Sequence, residues 1–80
     1  MKFMEAKIIA QTGGLSGAQA YRPTGENTWH LRFITEKPMK FTSVLETQKG
    51  KIRVFKNINS AISVAEQIGI ERVSVILKRS

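Results

Sequence analysis

His30 is the only histidine in the chain, and there is no cysteine. All six acidic residues are glutamates, scattered singly. A nucleophile–base pair would have to join His30 to one of Ser16, Ser43, Ser60, Ser63 or Ser74, and no recognisable motif places any of them beside it. Without aspartate no Ser-His-Asp triad can be built, and without cysteine there is no thiol chemistry, disulfide or zinc knuckle. The residues therefore point away from an enzyme, and they imply no cofactor and no metal. The chemistry they do offer is cationic: 13 Lys and Arg give a net charge of +7. The excess is concentrated in residues 30–56, where Arg32, Lys37, Lys40, Lys49, Lys51, Arg53 and Lys56 face only Glu36 and Glu46. Such a focus attracts polyanions such as nucleic acid or an anionic membrane.

Position decides whether these cations act together. Residues 29–35 alternate, with Trp29, Leu31 and Phe33 on one side and His30, Arg32 and Ile34 on the other. The same period runs through 39–47 and 51–55, and turn signals at Glu36-Lys37-Pro38 and Lys49-Gly50 separate the three runs. A three-residue connection at 36–38 would pair Phe33 with Phe41, Trp29 with Leu45, Arg32 with Thr42 and His30 with Val44. A two-residue loop at Lys49-Gly50 would pair Leu45 with Val54, Glu46 with Arg53 and Val44 with Phe55. These registers keep apolar beside apolar, and a slip of one residue would reverse the faces. Residues 2–9 read as a further strand, anchored by Phe3, Ile8 and Ile9. Residues 10–28, with Gly13, Gly14, Gly17, Pro23 and Gly25, read as a long Gly-rich loop. That loop is no P-loop, dinucleotide fingerprint or nucleophile elbow. It serves as a connector, or as an arm touching nucleic acid through Tyr21 and Arg22.

A helix is predicted from about Ile58 to Ile68. Asn57 suits its N-cap, Ile58, Ala61, Ile62, Ala65 and Ile68 share one face, and Gly69 suits the left-handed position at its end. A last strand follows at about 72–77, with Val73, Val75 and Leu77 inward. The fold class is α+β: one domain over 1–80, an antiparallel sheet of about five strands in the order β-β-β-β-α-β, and one helix packed on one face.

One helix seals one side, and the Trp29, Phe33, Phe41, Leu45 and Val54 side is the better core. The opposite side then carries His30, Arg32, Lys40, Thr42, Lys51 and Arg53, with Ile34, Val44 and Phe55 among them. Cations that track phosphates, interleaved with an aromatic ring that stacks on bases, suit single-stranded nucleic acid. Here Arg32, Lys40, Lys51 and Arg53 would neutralise phosphates and Phe55 would stack. The same face could instead be covered by a second copy of the chain, burying the apolar row and leaving a basic rim. Glu5 and Lys7 interrupt any apolar signal core, and no run approaches a membrane span, which points to the cytoplasm.

The segments FTSVLETQKGK at 41–51, RVFKNINSAI at 53–62 and IGI at 68–70 resemble small plasmid and mobile-element proteins of the partition-associated, ParC-type group. The likeness covers residues 29–77. It implies an accessory protein of plasmid maintenance, replication or partition, with DNA or a partition or replication protein as partner. The alternative is a protein-interaction or dimerisation module that binds no nucleic acid.

Overall fold

The computed structural model describes residues 1–23, 25, 27–35 and 41–77. Their elements run α1 (Phe3–Gln11), β1 (Leu15–Tyr21), β2 (His30–Thr35), β3 (Phe41–Val44), α2 (Ile58–Ile68) and β4 (Val73–Ile76). The fold is mixed α+β, a four-stranded sheet in the order β3-β2-β1-β4 with two helices, rather than five strands and one helix.

Residues 2–9, expected as a strand, belong to α1 instead. Met4, Glu5, Ala6, Lys7, Ala10 and Gln11 are good helix formers. The first turn is closed by the Glu5 carboxylate, which accepts from the Lys2 amide at 2.9 Å. The expected 10–28 loop contains β1, the strand that joins β2 to β4. Small residues disguise it. Ala18 stands opposite Phe33 and Ala20 opposite Leu31, and all four are buried. Two alanines beside two large side chains leave room for the helices, whose Ala6, Ala61 and Ala65 complete the same core.

α2 forms as its pattern predicts. The Asn57 side chain accepts from the Ser60 amide at 2.9 Å, and Gly69 closes the helix at φ +101°. The Ile70 amide then reaches the Ala65 carbonyl at 3.1 Å. Because α2 carries the chain back to the end from which β1 starts, β4 enters beside β1 in the same direction. That pair is parallel, so the sheet is not wholly antiparallel.

The middle registers also shift. β2 pairs Arg32 with Val44, Phe33 with Ser43, Ile34 with Thr42 and Thr35 with Phe41. This is two residues from the expected pairing, so the faces keep their identity. The segment 51–55 slips by one, and its faces reverse. Glu46 bridges Ile52 rather than Arg53, and Phe55 bridges Trp29 rather than Val44. The cause is the turn. Three residues, Gln48, Lys49 and Gly50, separate Thr47 from Lys51, whose carbonyl accepts from the Thr47 amide at 2.6 Å. Gly50 sits at φ +88°, the left-handed position such a turn requires. Phe55 therefore enters the core at 5% exposure, while Ile52 and Val54, at 49% and 51%, turn outward.

Both helices lie on the side of Ala18, Ala20, Leu31 and Phe33. The other side, with Gln19, Tyr21, His30, Arg32, Ile34, Thr42 and Val44, has no helix over it among the described residues.

Candidate nucleic-acid interface

β1 and β2 set the geometry of the open face. Their register places Tyr21 opposite His30 and Gln19 opposite Arg32, all four on the side away from the helices. Paired residues on one sheet face bring their side chains within contact distance. The Arg32 guanidinium lies 4.5 Å from the Tyr21 ring centroid, and its Nε donates to Gln19 Oε1 at 2.6 Å. Tyr21 meets His30 edge to face, with ring centroids 5.5 Å apart. Arg22, next along the chain, lies 5.2 Å from the Trp29 ring centroid and donates through Nη2 to the Leu77 carbonyl at 3.3 Å. Tyr21, Arg22, Pro23, His30, Arg32, Ile52 and Ile76 line a cleft of about 340 Å³.

Two guanidinium groups thus share one concave site, and among the described residues no carboxylate lines it. Among the described residues the recorded ion pair lies elsewhere, between the Met1 ammonium and Glu46 at 2.7 Å. That ammonium, hydrogen-bonded to the carboxylate and attracting its charge, holds Glu46 below the ordinary carboxylate range. Glu46 is therefore not the partner of Arg53 that the sequence suggested.

The remaining candidates go to different places. Arg53 is half-buried and stacks 5.1 Å from the Phe55 centroid, outside the cleft. Phe55 is a core residue and has no face free to stack on a base. Lys51 is exposed on the turn side of the same segment. Lys40 lies outside the described residues. Arg32 and His30 do share the face away from the helices, but His30 is buried at 9% exposure under its neighbours, Tyr21 among them, and so offers little surface to a ligand. Tyr21 and Arg22, half-buried, join them from β1 and its end rather than from a loop. Gln19, Ile52 and Ile76 were not singled out from the sequence. The alternation of Ala18 and Ala20 with Gln19 and Tyr21 was the signal for Gln19.

No group of three or more His, Asp or Glu able to hold a metal occurs among the described residues. No helix of the described residues is long and apolar enough to cross a membrane.

The fold and site define a small α+β protein in which, among the described residues, the helices cover one sheet face and the other carries two arginines set against aromatic rings. No protein-family model, curated protein or solved structure matches the chain.

Proposed function

We propose that this chain is a non-enzymatic nucleic-acid-binding protein that contacts DNA through its open sheet face. One observation carries the reading. Arg22 and Arg32 lie with Tyr21 and His30 in a single cleft to which the described residues contribute no carboxylate. Guanidinium groups beside aromatic rings suit phosphates and bases together. The exposed Lys49, Lys51 and Lys56 and the net charge of +7 add diffuse attraction. The resemblance over residues 29–77 would set this binding in plasmid or mobile-element maintenance, as an accessory to replication or partition, inside the bacterial cytoplasm. Titration of a fluorescent oligonucleotide at low salt tests the reading. Saturable binding by the wild type, lost in the Arg22→Ala/Arg32→Ala double variant, supports it. Absence of binding at low salt rejects it.

A second reading has its own observation. The sheet ends at β4, where Val75 and the following Leu77 are exposed. An apolar sheet edge of this kind suits a second copy of the chain or a partner protein. Light scattering on Val75→Lys separates the two. An oligomer that dissociates while oligonucleotide binding is absent favours the interaction module.

A further inference from the structure

The cleft is more specific than a basic patch. Arg32 is held from two directions, its guanidinium carbon over the Tyr21 ring and its Nε against Gln19. With Nε engaged, the donors left to a ligand are the η nitrogens, whose planar fork matches phosphate oxygens. The face of Tyr21 under the guanidinium is already occupied, so Tyr21 orients the cation and does not itself stack on a base through that face. The apolar walls come from two other segments, Ile52 beyond the Gln48–Gly50 turn and Ile76 of β4. Cations, rings and branched aliphatic walls therefore meet in one recess of about 340 Å³. That size is at the lower end for small-ligand sites and far below what a duplex needs.

Resting on the nucleic-acid reading above, we infer that the cleft seats one unpaired nucleotide. Its base lies against Ile52 and Ile76, and its phosphate meets the fork of Arg32 that Gln19 and Tyr21 hold. A base can enter such a recess only when it is splayed from its neighbours, which single strands allow and stacked duplexes resist. The site thus selects single-stranded over double-stranded DNA. Gln19 acts through Arg32 and is a positioning residue.

Fluorescence anisotropy with a labelled thymidine 12-mer and a 12-base-pair duplex tests this at one low salt concentration. The wild type should bind the single strand about tenfold or more tightly than the duplex. Ile52→Ala should erase most of that preference while duplex binding stays within twofold. Gln19→Ala should weaken single-strand binding about fivefold in the wild type and leave it unchanged in an Arg32→Ala background. The Arg32 Nε–H signal should be sharp in the NMR spectrum of the wild type and broaden in Gln19→Ala without a change in melting temperature. Equal affinity for the two DNA forms overturns the inference while leaving the nucleic-acid reading in place. So does a Gln19→Ala effect that persists without Arg32. No binding to either form overturns both.

Discussion

Glu46 joins the N-terminal segment to the end of β3 through a charge-assisted contact. Its Oε2 accepts from the Met1 ammonium at 2.7 Å, and the same ammonium donates to the Val44 carbonyl at 3.0 Å. The contact lowers the carboxyl's affinity for protons below its ordinary 4.5, the ammonium being the first cause and Lys2 a weaker one. A group whose folded value is depressed contributes stability above its unfolded value and loses that contribution as pH falls through the folded one. The stabilisation is therefore complete at neutral pH and disappears below the usual carboxylate range. Glu46→Gln should lower the melting temperature at pH 7 and flatten its acid dependence, so that the two proteins converge at low pH. Thermal melts followed by circular dichroism across acidic and neutral pH check this. Parallel curves would remove Glu46 from the account.

The contrast between α2 and its neighbours shows what a linear pattern can carry at the scale of an element. α2 has a strong apolar stripe, a capping Asn57 and a terminal Gly69, and each of these acts locally, so the helix is legible. Asn57→Ala should cost about 1 kcal/mol of unfolding free energy in urea melts, the usual loss for an N-cap side chain. α1 fully buries only Ala6, and its Phe3, Ile8 and Ile9 imitate strand anchors. β1 carries Ala18 and Ala20 where strands usually carry bulk, because they share their core with Ala6, Ala61 and Ala65 of the helices. The reason for those small residues lies in tertiary packing, and along the chain only their alternation with Gln19 and Tyr21 marks the strand. The open face was half legible. Arg32 and His30 follow from the period of β2, whereas Tyr21 and Gln19 depend on recognising β1. Arg53 and Phe55 were misplaced because Gly50 makes a three-residue turn and shifts the register by one. That shift predicts an asymmetry. Phe55→Ala should cost about 3–5 kcal/mol, as buried aromatic truncations do, and would consume much of the stability of a domain this size. Val54→Ala should cost well under 1 kcal/mol. Urea denaturation of both variants checks it, and a reversed order would contradict the register.

Across the whole molecule, charge sets how binding responds to its surroundings. A net charge of +7 on 80 residues gives attraction that counterions weaken. Each phosphate neutralised on a single strand contributes about 0.7 to the slope of log affinity against log salt. Removing both Arg22 and Arg32 should make that slope shallower by about 1.4, while removing Arg53 should change it much less. Titrations at several salt concentrations measure the difference. Equal changes for Arg53 and for Arg32 would mean that the field is diffuse and the cleft has no special part.

The central claim is that DNA meets the uncovered sheet face at the junction of β1 and β2. Amide chemical-shift mapping during titration with a single-stranded oligonucleotide tests it most directly. The largest changes should fall on Gln19, Tyr21, Arg22, His30, Arg32 and Ile52, with α1 and α2 nearly silent. Changes centred on the helices, or spread evenly over the exposed lysines, would contradict the account.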